Sequence, residues 1–300
     1  DTCAVHATVA RQGRTDEVGV RLYRQQRRRK LVYVDGKTVS RLGDLMGHMT
    51  CVMFSPEDLE IIKGGPQLRR RFVDMMLSQC LPGYFYALQH YNAVLKQRNA
   101  LLKMIAREGA DARQLNVWDE QLAAASPPLV RARRQAAARL GELAGQHYAY
   151  IGGRPEETLA VRYQGSLAES ETIDADHLQA LARSREDDLR RLTTAHGPHR
   201  DDLLFTLSGQ ELRSFASQGQ IRTAVLSLRL AEIDILTQAQ GDAPLLLLDD
   251  VLSELDLGRR ARLLSGLQHV QTLLTCTDLG EVEDLSPACV LRVKPGEILQ

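Results

Sequence analysis

Two adjacent carboxylates, Asp249 and Asp250, follow the run Leu245, Leu246, Leu247, Leu248, and they stand just ahead of Ser253 and Asp256. Four leucines after Pro244 predict a short strand buried on both faces, as in the middle of a parallel sheet. In open α/β sheets ligands bind beyond the carboxyl ends of the strands, so a charge pair placed there suits a nucleotide site. This is the Walker B pattern. Asp249 is expected to hold Mg2+ through its water shell, and Asp250 to orient or deprotonate the attacking water. An apolar strand that simply runs into an acidic turn is the competing reading.

A second constellation is Ser217-Gln218-Gly219-Gln220, immediately before an amphipathic helix over 221–238. A serine and a glycine at a helix start offer a hydroxyl and backbone N–H groups to an anion, assisted by the helix dipole. Taken alone, the same residues make an ordinary N-cap. Gly197-Pro198-His199-Arg200-Asp201-Asp202 leads into an alternating strand at Leu203, Phe205 and Leu207; His199 and Arg200 there are either functional groups or parts of a capped, ion-paired turn. Gly36-Lys37-Thr38 is a decoy. A phosphate-binding loop needs glycine five positions before its second glycine, where Leu31 stands, and it needs a following helix.

The elements that position these residues read as follows. Strands are expected at 5–10, 18–23 and 31–34, with Asp35-Gly36 as a two-residue hairpin turn into Thr38 and Val39. Arg27, Arg28, Arg29 and Lys30 form either a phosphate-contacting run or an exposed strand end. A strand at 49–54 precedes a helix start at Ser55-Pro56-Glu57-Asp58, with serine at the cap and proline in the first turn. After the turn Gly64-Gly65-Pro66, the spacing of Phe85, Leu88, Tyr91, Leu95 and Leu102 predicts a helical packing face. Pro127-Pro128 is expected to split the helical run 114–148, since an interior proline costs about 3 kcal/mol. A strand at Leu159, Val161 and Tyr163 and a charged helix over 174–193 complete the middle of the chain.

The 300 residues with 44% hydrophobic content suffice for one large domain or two smaller ones. No apolar run approaches the roughly 20 residues of a membrane helix, and no signal-peptide pattern opens the chain, so a cytoplasmic protein without membrane contact is expected. Five scattered cysteines lack metal-ligand spacing and argue against a disulfide framework. The 38 basic and 38 acidic residues balance overall but not locally. Residues 61–150 hold 13 Lys/Arg against 6 Asp/Glu, whereas residues 245–300 hold 5 against 9. A basic middle suits a phosphate partner, although a solvated helical surface gives the same count.

Ser-Gln-Gly-Gln before a helix, then Leu-Leu-Leu-Leu-Asp-Asp, then Ser-Glu-Leu-Asp, in this order, resemble the signature motif, Walker B and D-loop of an ABC-type ATPase. More narrowly, Phe54-Ser55-Pro56-Glu57-Asp58-Leu59, Arg69-Arg70-Arg71-Phe72, Trp118-Asp119, the 197–202 turn and 217–222 together resemble the RecF family of bacterial DNA repair ATPases related to SMC proteins. The resemblance implies an α/β, P-loop NTPase-type head with an antiparallel β-lobe and an inserted helical arm. The segments expected are 1–60 and 194–300 for the head and 61–193 for the arm. It implies ATP and Mg2+ as cofactors, with ATP sandwiched between two copies. Ser217, Gln218, Gly219, Gln220, Ser253 and Asp256 would then face a nucleotide held mainly by the partner. It implies double-stranded and gapped DNA, RecR and RecO as partners, and an ATP-dependent homodimer. Arg69, Arg70 and Arg71 are the candidate DNA contacts, with pairing to acids of the head as the competing structural role.

Three departures qualify the resemblance. No Walker A loop occurs in the 300 residues, so a fragment lacking that segment is expected to bind ATP weakly or not at all. Asp250 stands where ABC ATPases usually carry glutamate, consistent with slow hydrolysis. The switch histidine is absent, its place taken by Leu274-Thr275-Cys276-Thr277-Asp278. An ABC transporter ATPase subunit and an ATP-gated DNA clamp without significant hydrolysis are the alternatives; the basic insertion favours DNA over membrane helices.

Overall fold

The computed structural model describes residues 2–11, 13–24, 30–39, 42–167, 170–277, 287, 289–294 and 297–299. Strands β1 (Thr2–Arg11), β2 (Arg14–Tyr23), β3 (Lys30–Val34) and β4 (Lys37–Val39) form an antiparallel meander in chain order. Asp35 and Gly36 both take positive φ, 50° and 74°, which is the twist a two-residue hairpin turn needs. Lys37 opens β4, so the segment after the turn continues as a strand and not as a helix, as the decoy reading requires. Arg27, Arg28 and Arg29 lie outside the described residues.

β5 (Cys51–Phe54) runs into Ser55, whose N–H donates to the Asp58 carboxylate at 3.1 Å. The expected cap is therefore present, but the turn it opens, Pro56–Leu59, is 3-10 before α1 (Glu60–Lys63) begins. Next come α2 (Pro66–Cys80), α3 (Tyr84–Glu108), α4 (Leu115–Ala125) and α5 (Pro127–Gly152). The break between α4 and α5 falls at Ser126, with Pro127 in the first turn of α5 where its missing N–H costs nothing. β6 (Leu159–Gln164) and α6 (Ile173–Arg191) follow. The last third contains β7 (Asp202–Leu207), β8 (Gln210–Glu211), α7 (Leu212–Phe215), α8 (Gln218–Gln240), β9 (Leu245–Asp249), α9 (Leu257–Gly266), β10 (Thr272–Thr275), β11 (Arg292–Lys294) and β12 (Glu297–Leu299).

β9 is the centre of a parallel sheet ordered β10-β9-β5, with Phe54 opposite Leu248 and Thr275 opposite Asp249. The sequence reading of a strand covered on both faces is corrected here. Leu246 and Leu248 are buried, but Leu245 and Leu247 are only half-buried. Met53 and Leu273, in register on either side of Leu247, are 48% and 58% exposed. Among the described residues, one face of this sheet is left largely open.

β6, inside the expected arm, pairs antiparallel with β7 from the expected head, and one apolar core runs continuously from Val52 to Leu267. α5 carries that core, packing on α8 along one side and β6 along the other. Gly141 and Gly145 permit the second contact, because a Cβ at either would press on the backbone of Val161 or Leu159 at 3.1–3.3 Å. The far ends of α3 and α4 close a small separate cluster around Leu101, Leu102 and Leu115. No helix of the described residues is long and apolar enough to cross a membrane, and their cysteines form no disulfide.

Candidate functional site

Asp249 ends β9 at the carboxyl edge of the parallel sheet, and both it and Asp250 are exposed. One Asp249 carboxylate oxygen accepts a hydrogen bond from Thr275 Oγ1 at 2.7 Å, which leaves the other free for a cation's water shell. Asp250 has a left-handed backbone, φ 51°, where few non-glycine residues sit. That conformation is held from two sides. The Asp250 N–H donates to the Thr275 carbonyl and hydroxyl at 3.3 and 3.2 Å, and Ser253 Oγ donates back to the Asp250 carbonyl at 3.1 Å. A residue fixed in a sparsely populated conformation at a strand end is a pointer to function. Glu57, one strand over, senses the cluster: its Ser55 hydrogen bond draws its carboxyl below the usual range while the Asp249 charge pushes the other way.

Ser217 is the N-cap of α8 and forms a full capping box. Its Oγ accepts from the Gln220 N–H at 3.3 Å, and its own N–H donates to Gln220 Oε1 at 2.8 Å. Ser217 and Gln218 are exposed and Gly219 is half-buried. The Ser217 hydroxyl proton and the Gln218 and Gly219 N–H groups are what this helix start can offer to an anion, since the Gln220 N–H is spent on the box. Gly219 lies under Arg259, whose guanidinium is 3.3 Å from where a Cβ would stand. Asp256 caps α9, accepting from the Arg259 N–H at 3.0 Å, a bond that holds its carboxyl below the usual range. Ser253 therefore braces the turn that presents Asp250, and Asp256 starts the helix that follows it.

Three residues escaped the sequence reading. Thr275 became legible only through its register opposite Asp249. Glu157 accepts from Gln220 Nε2 at 3.0 Å across 63 positions of chain, and Arg259 reaches Gly219 from α9. Asp278 lies outside the described residues, so of the segment in the switch position only residues 274–277 are placed.

The 197–202 turn is a buried junction rather than an open site. Gly197 has φ 125°, and a Cβ there would run into the Tyr91 hydroxyl and the His177 ring. His199 Nε2 donates to the Thr194 carbonyl at 3.0 Å, and its Nδ1 lies 2.7 Å from the Tyr91 hydroxyl. Burial pushes the His177 and His199 imidazoles down to about 4. Arg200 donates to the Thr194 carbonyl at 2.9 Å. Asp201 accepts from Tyr163 and from the Ser166 N–H, and Arg133 bridges the Pro198 carbonyl and Asp74.

This junction also corrects the arginine reading. Arg69 is buried and grips Asp202 with two hydrogen bonds, 2.6 and 2.8 Å, so it does not face DNA phosphates. Arg70 is half-buried and donates to the Asp201 carbonyl at 2.6 Å. Arg71 alone of the three is exposed. The basic excess of 61–150 shrinks in the same way, since Arg69, Arg98 and Arg133 are all buried counter-ions.

A parallel sheet with α8 against it, a carboxylate pair at its carboxyl edge and a serine-capped helix start is the architecture of an ABC-type ATPase head. No protein-family profile matches the chain. A DNA replication and repair protein RecF of Acetivibrio thermocellus is 41% identical over 277 residues, covering 90% of this chain and 74% of that protein. One of Lachnoclostridium phytofermentans is 44% identical over 268 residues, covering 89% and 73%. A solved structure of the recombination mediator protein RecF-ATPrS in the RecFOR pathway superposes with a TM-score of 0.88 at 32% identity, covering 99% of this chain and 80% of that one. A RecF-ATP structure gives 0.84 over 95% and 75%. The chain belongs to the RecF family.

Proposed function

We propose that this chain belongs to an ATP-dependent DNA-binding protein of replication and recombinational repair, which dimerises on DNA under the control of ATP and hydrolyses it slowly. The observation that carries the reading is Asp250: a non-glycine residue held at positive φ by Thr275 and Ser253, with its carboxylate exposed beside Asp249 at the end of a parallel strand. Asp249, with one oxygen free, fits Mg2+ held through water, and Asp250 fits the group that orients the attacking water. The metal would supply charge neutralisation at the phosphates.

Ser217, Gln218, Gly219 and Gln220 form the other half-site, which closes on a nucleotide held by a second copy. Ser253 and Asp256 support the loop between the two. These 300 residues contain no Walker A pattern, so the tests below supply a phosphate-binding loop upstream of them. Double-stranded and gapped DNA are the proposed substrates, with RecO and RecR as protein partners in the cytoplasm. A clamp without hydrolysis remains the alternative that the Asp-for-Glu difference favours.

The test is Ser217→Arg in a chain carrying the phosphate-loop segment upstream. A bulky cation at the α8 cap leaves ATP binding by the monomer intact and abolishes the ATP-induced dimer in sedimentation velocity. A Ser217→Arg protein that dimerises normally with ATP refutes the assignment.

A further inference from the structure

The capping box at Ser217 depends on which way one carboxamide faces. Gln220 satisfies the Ser217 N–H only with Oε1 turned toward it, at 2.8 Å. Turned over, the amide would present NH2 to an N–H, two donors face to face, and the box would be lost. The Ser217 N–H favours the first face, and Glu157 locks it: it accepts from Gln220 Nε2 at 3.0 Å, which is available only when Oε1 points at Ser217.

Glu157 is itself held from two further directions. Tyr148 of α5, 1% exposed in the main core, donates its hydroxyl to Glu157 Oε2 at 2.8 Å. Arg154 donates to Oε1 at 3.0 Å. Burial alone would raise the Glu157 carboxyl; the Tyr148, Arg154 and Gln220 hydrogen bonds outweigh it and keep the group ionised. Thr223 Oγ1 donates to the Gly219 carbonyl at 2.8 Å, so the first turn of α8 is tied from inside as well.

We propose that Glu157 is a positioning residue for the signature serine: by fixing the Gln220 carboxamide it holds Ser217 in the capping-box geometry, with the hydroxyl proton directed outward to a γ-phosphate. The chain of contacts runs from the core end of α5 through Glu157 and Gln220 to Ser217. Its readout is therefore the docking of the opposite nucleotide, not the binding of the subunit's own. This inference rests on the ATP-sandwich reading given above.

The experiment uses the protein with its phosphate-loop segment, Mg2+ and ATP. Glu157→Ala is expected to weaken ATP-induced dimerisation about tenfold, the scale of one hydrogen bond to a charged group, with ATP affinity of the monomer unchanged. Glu157→Gln retains an acceptor for Gln220 and restores most of the dimerisation. The deciding measurement is a double-mutant cycle with Gln220→Ala. Once Gln220 is gone, replacing Glu157 costs dimerisation little further. An equal tenfold loss in both backgrounds overturns the inference, and so does normal dimerisation of Glu157→Ala. If Glu157→Ala fails to fold, Gln220→Ala carries the test by itself: it is expected to weaken ATP-induced dimerisation about tenfold with ATP affinity of the monomer unchanged, and normal dimerisation overturns the inference. Ser217→Arg is the control: if it dimerises normally, the sandwich reading falls; if it fails to dimerise while Glu157→Ala does not differ from the parent, only the role of Glu157 falls.

Discussion

The 197–202 turn and the end of β9 are both short, charge-rich segments flanking a strand, and both carry two consecutive aspartates. They are built to opposite ends. At the turn the charged groups are engaged within the fold: Arg69 and Arg70 on Asp202 and the Asp201 carbonyl, Arg133 on Pro198 and Asp74, Tyr163 on Asp201, and the exposed Arg200 on the Thr194 carbonyl. At β9 the carboxylates are exposed, and their partners are hydroxyls, Thr275 on Asp249 and Ser253 on Asp250, with no cation paired to either among the described residues. A distinctive motif marks a residue set that cannot easily change, which a buried junction requires as much as an active site does. What separates the two is where the hydrogen-bonding capacity goes, inward or outward.

The largest effect that would sharpen this contrast is at Asp250. Asparagine tolerates a left-handed backbone nearly as well as aspartate, so Asp250→Asn keeps the turn and removes the charge. Phosphate release from the protein with its Walker A segment should drop by about 10²–10⁴-fold, the usual worth of a positioned base, while ATP still binds and trapped dimers accumulate. The thermal midpoint should not move. A mutant that loses stability but hydrolyses ATP normally would place Asp250 with the structural aspartates.

Arg133→Ala makes the reciprocal change at the junction. Its guanidinium is buried, bound to Asp74 at 2.9 Å and to the Pro198 carbonyl at 2.6 Å, so its removal strands a carboxylate in the core region. Breaking such a pair costs about 3–5 kcal/mol. Urea unfolding should show that loss as a lower midpoint. Little or no loss of stability would mean that the junction is looser than its hydrogen bonds imply and open to a functional reading.

What the residues disclosed in advance follows the range of the interaction concerned. The Asp35-Gly36 hairpin and the break at Pro127 rest on backbone preferences of one or two residues, and both are where the sequence places them. The Asp249-Asp250 and Ser217-Gly219 positions were legible because strand end and helix cap are local events. The open face of β9 was not, since four leucines report apolar surroundings but not whether a second layer covers them. Arg69 was misread because its partner Asp202 is 133 positions away, and Glu157 was overlooked for the same reason. A charge count over 61–150 sees cations but not the acids that the fold brings to them.

The smallest effect divides Arg69 from Arg71, two residues apart on α2. Arg71 is exposed, so in the DNA-binding reading it contacts a phosphate and releases a counterion. Arg71→Ala should weaken binding to duplex and gapped DNA alike, without regard to sequence, and reduce the slope of log affinity against log salt by about 0.9. Its stability should stay within about 0.5 kcal/mol of the parent, as for most surface substitutions. Arg69→Ala should do the reverse, because the Asp202 carboxylate it leaves behind is only 23% exposed and has lost a bidentate partner. Its unfolding midpoint should fall while the salt slope per folded molecule stays that of the parent. Fluorescence anisotropy over a salt series, with unfolding measured on the same preparations, reads both quantities. If Arg69→Ala flattens the slope as Arg71→Ala does, the Asp202 pair opens when DNA binds, and the junction would belong to the working surface it has been set against.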